Sequence, residues 1–157
     1  MSKLAELNTD DLKDLYRELI LDHARNPRNF GPLRSATHRA RGANPLCGDT
    51  LELYLELDAD EVVRAARFEG TGCAISLASA SLLTETVAGL PRHLALQWFE
   101  QVTASLTGGR SEFDLGKLMA LQGVREFPAR VKCATLPWHT MRSAFQQQAT
   151  TATTTTE

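Results

Sequence analysis

The stretch Asn44-Pro45-Leu46-Cys47-Gly48-Asp49-Thr50-Leu51-Glu52-Leu53-Tyr54-Leu55-Glu56-Leu57-Asp58 decides the fold. In its second half Leu51, Leu53, Leu55 and Leu57 alternate with Glu52, Tyr54, Glu56 and Asp58, the period of two that marks a strand with one buried and one wet face. Its first half is a turn that Pro45 and Gly48 help to shape. That turn sets the thiol of Cys47 and the carboxylate of Asp49 two residues apart across a glycine, so two potential metal ligands leave one tight bend.

Outward from the strand, Asp58-Ala59-Asp60-Glu61 turns the chain, and residues 62–69 are expected to return as a second strand with Ala66 and Phe68 inward. Arg64 has the parity of Phe68, which predicts either a bulge or an early end to the inward face. On the other side residues 37–43 form a first strand, polar enough in Thr37-His38-Arg39-Ala40-Arg41 to suggest an edge position. An antiparallel return brings Cys47 and Cys73 to the same end of the hairpin, although 26 positions (73 − 47) separate them. Gly70 and Gly72 then let the chain bend into a helix starting near Cys73.

The helices follow from apolar spacing. Asn8 or Thr9 caps a helix over residues 9–24, with Asp10 and Asp11 at its positive end and Leu12, Leu15, Tyr16, Leu19, Ile20 and His23 along one stripe. His23 reads as a helix-end residue packing its ring, since a lone His has no spaced partner for a metal. Residues 74–88 are rich in Ala and Ser. They make a slender helix that can approach the sheet closely, with hydroxyls bonded back to its own carbonyls. Pro91 opens a helix lined by Leu94, Trp98, Val102 and Leu106, and Leu115, Leu118 and Met119 mark a short one ending near Gly123. Pro128 starts a turn of helix carrying Arg130, Lys132 and Cys133. Pro137 then predicts a kink or a fresh helix near Thr135, with Trp138, Met141 and Phe145 as its apolar face. All three cysteines are thereby expected at element junctions.

At 157 residues, 43% hydrophobic and 23% charged, the chain suits one domain over residues 1–146. The Gln- and Thr-rich residues 147–157 read as a disordered low-complexity tail. Seventeen basic against nineteen acidic side chains give a net charge of −2, which offers no electrostatic footprint for nucleic acid. No apolar run approaches the length of a membrane span, and the N-terminus opens acidic where a signal peptide would be basic; both point to a cytoplasmic protein. Three cysteines, none near another in sequence, are unlike a secreted disulfide scaffold.

Each cysteine alone reads as a small buried hydrophobe. Taken with Asp49, the three could complete a tetrahedral zinc site or hold an iron-sulfur cluster with mixed sulfur and oxygen ligation. There is no Cys-x-x-Cys pair to decide between these, and spacing leaves all of them open.

Three motifs go further: Asn-Pro-x-Cys-Gly-Asp at Cys47, Gly-x-Gly-Cys-Ala-Ile-Ser-x-Ala-Ser-Ala-Ser at Cys73, and Arg-Val-Lys-Cys-Ala-Thr-Leu-Pro-Trp at Cys133. Their order and content resemble the U-type iron-sulfur assembly family (IscU, the NifU N-terminal domain, SufU), from about Leu15 to Phe145. The resemblance implies an α+β fold, a small three-stranded antiparallel sheet packed with about five helices, and Cys47, Asp49, Cys73 and Cys133 as the metal ligands. Scaffold members of the IscU kind carry His immediately before the third cysteine and an upstream Leu-Pro-Pro-Val-Lys chaperone-binding segment. Here Lys132 and Phe127-Pro128-Ala129-Arg130 stand there, and the interval from Cys73 to Cys133 is longer, at 60 positions (133 − 73). These features resemble the SufU branch.

That branch implies a zinc-dependent, sulfurtransferase-like protein. It would accept persulfide sulfur on Cys47 from a pyridoxal-phosphate cysteine desulfurase and pass it to a downstream iron-sulfur scaffold or acceptor. Zinc would keep its sulfur ligands as thiolates until the partner arrives, with Asp49, Cys73 and Cys133 holding the metal while Cys47 is free. Arg130, about one helical turn from Cys133, would offset part of the ligands' negative charge, and Lys132 would be solvated. Two alternatives stand beside this: a scaffold on which an iron-sulfur cluster is assembled transiently, and a zinc-stabilised interaction domain with no sulfur chemistry.

Overall fold

The computed structural model describes residues 9–146 and 151–155. In chain order the elements are α1 (Thr9–Arg25), β1 (His38–Asn44), β2 (Asp49–Leu57), β3 (Val63–Thr71), α2 (Ala74–Val87) and α3 (Arg92–Leu106). A 3₁₀ helix (Gly116–Glu126), α4 (Pro128–Phe145) and β4 (Thr151–Thr155) complete them. The antiparallel core of the sheet is β3-β2-β1, as expected for this α+β fold, and among the described residues four α-helices and one 3₁₀ helix make up the helical part.

The β2 pattern holds: Leu51, Leu53, Leu55 and Leu57 are all buried. The hairpin with β3 contains the bulge that Arg64 predicted. Glu56 pairs with Ala65 and Leu57 with Val63, so Arg64 is the extra residue. Its guanidinium turns outward to Asp58, with Nε donating to Oδ2 at 2.6 Å, while Val63, Ala66 and Phe68 remain buried.

β1 is not at an edge, which corrects the sequence reading. It pairs antiparallel with β2 on one side and parallel with β4 on the other. The tail expectation changes with it: the backbone of Thr151–Thr155 forms that outer strand, in keeping with the β propensity of threonine. Asn8, a candidate cap of α1, and residues 147–150, 156 and 157 of the tail lie outside the described residues. β1 is polar in sequence because its inward positions are Ala40, Gly42 and Asn44. Gly42 has no room for a side chain, since an added Cβ would overlap Thr140 Oγ1 and stand 3.0 Å from Leu136 Cδ1. α4 therefore crosses β1 closely at this point.

α4 runs unbroken through Pro137 from Pro128 to Phe145, where a kink or a second helix was expected. Proline removes one intrahelical donor, and a side-chain bridge supports the helix nearby. Ser79 Oγ on α2 donates to the Ala134 carbonyl at 2.6 Å and accepts from Trp138 Nε1 at 3.1 Å. The α2 serines thus serve packing, as read, but Ser76 alone bonds back, to the Cys73 carbonyl, while Ser79 and Ser81 reach other segments instead. One consequence is that Cys133, expected at a junction, lies inside a helix and is fully buried. The 3₁₀ helix likewise passes Gly123 and ends at Glu126.

α1 packs its stripe on α2 and the 3₁₀ helix, although Leu15 is turned outward. His23 is buried, with Nδ1 2.7 Å from Ser81 Oγ and Nε2 3.7 Å from Glu85 Oε1. In α3 the inward residues are Ala95, Phe99, Val102 and Leu106, with Trp98 half-buried edge-on to Phe113. No described helix is long and apolar enough to cross a membrane.

Candidate metal centre

The centre is built at one end of the sheet by two consecutive hairpins. Asn44 and Asp49 are opposite partners at the end of the β1–β2 ladder, and the turn between them is closed by the Cys47 N–H donating to the Asn44 carbonyl at 3.2 Å. Gly48 takes φ +70° in that turn, a left-handed conformation that favours glycine. The β2–β3 ladder pairs Thr50 with Thr71, so Gly72 and Cys73 come out beside Asp49. Cys73 is the N-cap residue of α2. α4, crossing over β1, brings Cys133 down onto the same end, where Asn44 Nδ2 donates to Cys133 Sγ at 3.6 Å.

Ligand atoms of Cys47, Asp49 and Cys133 all lie within 4.8 Å of one another. Cys73 flanks this trio: its backbone N–H donates to Asp49 Oδ1 at 2.9 Å, and its side chain bears electrostatically on Cys133 and Arg130. The structure thus brings together all four residues singled out from the sequence, three in a tight group and the fourth beside it. Cys47 and Cys73 are half-buried, while Asp49 and Cys133 are buried.

Electrostatics explain why the group suits a cation. Burial, followed by the neighbouring Cys47, Asp49 and Cys73 side chains, pushes the Cys133 thiol well above its ordinary pKa. A cluster of this kind resists carrying several negative charges without a cation to balance them. Asp49 Oδ1 accepts the Cys73 backbone N–H at 2.9 Å, whereas Asp49 Oδ2 is buried with no hydrogen-bond partner among the described residues. An orphaned carboxylate oxygen among three thiols is the donor set of a structural or catalytic zinc site, so the residues present fit that metal. Gly72 makes room for the Asp49 carboxylate: a Cβ there would overlap Asp49 Oδ1 and come within 2.7 Å of Ser76 Oγ.

Arg130 is exposed on the first turns of α4. The charge on Cys73 and the hydrogen bond to it, then those of Cys133, raise the Arg130 pKa above its usual value. Lys132 instead lines a groove between the end of α3 and the start of α4, with Glu126 and His139. Sequence reasoning missed Asn44 and Gly72 as parts of the site. An Asn before Pro reads as a turn former, and Gly72 reads as a hinge.

Fold and centre together define a small α+β domain with a candidate metal centre of cysteine and aspartate side chains assembled from three separated segments. The sequence model of the NifU-like N terminal domain matches residues 15–134, and the chain belongs to this family. It is 41% identical over 140 residues to the zinc-dependent sulfurtransferase SufU of Bacillus subtilis, covering 88% of this chain and 94% of that protein. It is 39% identical over 138 residues to the iron-sulfur cluster assembly scaffold protein IscU of Thermotoga maritima, covering 86% and 95%. Among solved structures it is similar to an iron-sulfur cluster assembly scaffold protein described for the SUF system of Fervidobacterium islandicum, with TM-score 0.74, 33% identity and 81% and 93% coverage. The NifU-like N-terminal protein of Brucella abortus gives TM-score 0.76 at 25% identity, covering 86% and 94%.

Proposed function

We propose that this chain is a zinc-dependent sulfur-transfer protein of iron-sulfur cluster assembly that accepts persulfide sulfur on Cys47 from a pyridoxal-phosphate cysteine desulfurase. The observation that carries the reading is the contrast within one cluster. Cys47 stands half-exposed on a glycine-containing turn, within 4.8 Å of the buried Asp49 and Cys133. The similarity to a relative named as a zinc-dependent sulfurtransferase supports it.

Cys47, Asp49, Cys73 and Cys133 would hold the metal. Zinc, when bound, keeps sulfur ligands as thiolates and has no redox chemistry of its own. The Cys47 thiolate attacks the terminal sulfur of the partner's persulfide. A new S–S bond forms as the old one breaks, and the electron pair leaves on the desulfurase cysteine. Cys47 ends as the persulfide, with no outside oxidant or reductant. Asp49 and Cys133, held inside the fold, keep the rest of the site in place, and Arg130 offsets negative charge on Cys73 and Cys133. A downstream scaffold or acceptor protein takes the sulfur from Cys47. Free thiols fit a reducing, cytoplasmic setting.

A cluster-building scaffold on the same ligands is the second reading, favoured by the likeness to IscU. Lys132 weighs against it, because it lines the α3–α4 groove where a scaffold of that kind carries a histidine next to the third cysteine. The test is to incubate the Cys47→Ala protein with desulfurase and cysteine. It should fold and yet fail to relieve the desulfurase of its persulfide, whereas undiminished relief contradicts the reading.

A further inference from the structure

Asn44 belongs to the motif that carries Cys47, yet nothing in the sulfur-transfer reading uses its side chain. It is completely buried at the end of β1, opposite Asp49 in the ladder. Its Nδ2 donates to Cys133 Sγ at 3.6 Å, across 89 positions of sequence, and its Oδ1 has no hydrogen-bond partner among the described residues. A buried amide with an unpaired carbonyl is a costly way to end a strand, and an apolar side chain would pack there more cheaply. What the amide alone supplies is an N–H aimed at a sulfur.

The two buried ligands are each held by such a donor from another segment. Asp49 is held by the Cys73 backbone N–H at 2.9 Å, and Cys133 by Asn44. Both donors come from residues beside a second ligand: Cys73 is itself one, and Asn44 closes the turn that carries Cys47. Cys47 itself rides on the half-exposed turn.

We infer that Asn44 is a positioning residue for the metal. Its amide N–H fixes the sulfur of Cys133 toward the shared centre, so that the ion stays held by the buried ligands while Cys47 is away carrying sulfur. The inference rests on the zinc reading above and assigns to the site an orienting partner of the kind that tunes metal affinity about 10- to 100-fold. Nothing is oxidised or transferred at Asn44, and the hydrogen bond acts through the orientation of Cys133.

The test uses the full chain in two measurements. In the wild-type protein loaded with cadmium-113, the Asn44 side-chain amide proton should show scalar coupling to the metal through the N–H···S contact. In zinc-loaded Asn44→Ala and Asn44→Asp proteins, competition against a chromogenic chelator should show zinc held about tenfold more weakly. The deficit should widen when Cys47→Ser is added, while the metal-free variants melt close to the parent. Absence of the coupling overturns the inference, and so does zinc affinity within about twofold of wild type in folded variants. If the variants do not fold, the cadmium measurement decides alone. A wild-type protein that takes up no zinc overturns the zinc reading itself, whereas tight wild-type binding with unchanged variants overturns only the role of Asn44.

Discussion

The backbone N–H of Cys73 donates to Asp49 Oδ1 at 2.9 Å, so the first residue of β2 caps the entrance of α2 although 24 positions separate the two. The bond commits one carboxylate oxygen to the fold and leaves the other, Oδ2, buried beside the thiols and without a hydrogen-bond partner among the described residues. Asp49 therefore answers to two demands, one structural and one of ligation. A fourth cysteine in its place would meet the second and not the first.

Substitutions at Asp49 should separate those demands. Asp49→Asn retains an oxygen for the Cys73 N–H, so the metal-free protein should lose less than about 1 kcal/mol while zinc affinity drops about tenfold or more. Asp49→Ala leaves the N–H without its acceptor and should cost a further ~1 kcal/mol in urea unfolding. Identical unfolding midpoints for the two variants would contradict the dual role.

Gly72→Ala should act on the same carboxylate without replacing a ligand residue. The added methyl overlaps Asp49 Oδ1, so the expected outcome is a loss of about 1–3 kcal/mol together with weaker zinc binding in chelator competition. Gly123→Ala is the control, since a Cβ there meets nothing within 4 Å.

Protonation of His23 should erode stability on the acid side. Burial, and next the Arg28 charge, hold its pKa below the usual 6.5 despite Glu85 nearby. His38 and His139 are lowered in the same direction, again chiefly by burial. A depressed folded-state pKa contributes stability that is fully present above the unfolded value of about 6.5 and is lost as pH falls through the lower folded value. The melting temperature of the metal-free protein should therefore fall between pH 7 and pH 5, and His23→Gln should make that slope shallower. Stability that rises toward pH 5 would be the contrary result.

Arg130 and Lys132 are neighbours in sequence with different surroundings. Arg130→Ala removes the cation beside Cys73 and Cys133 and should weaken zinc binding by about tenfold, with little change in melting. Lys132→Ala, on the α3–α4 groove, should leave zinc affinity at the parent value. Equal effects of the two substitutions would remove the specific role of Arg130.

Much of this was readable from the residues because it rests on local periodicity. Leu51 to Leu57 announce β2, the parity of Arg64 announces the bulge, and the antiparallel return places Cys47 and Cys73 together. Cys133 joins them only through tertiary packing, and the three motifs together, not its spacing, gave it away. β1 was misplaced at an edge because its inward positions are Ala40, Gly42 and Asn44, small or polar residues chosen to admit α4 rather than to bury apolar area. Pro137 suggested a break that the packing of Ser79 against Ala134 and Trp138 prevents, since tertiary contacts override a local helix signal. Asn44 was hidden for the opposite reason: its turn propensity is a sufficient local explanation, and only the contact with Cys133 across the fold reveals another.

The central claim is tested most directly by mass spectrometry of the zinc-loaded wild-type chain after incubation with a cysteine desulfurase and cysteine, with zinc counted on the same sample. The account predicts one extra sulfur mapped to Cys47, none on Cys73 or Cys133, and zinc still bound. Sulfur absent from Cys47, or zinc displaced in favour of a stable iron-sulfur chromophore, would contradict it.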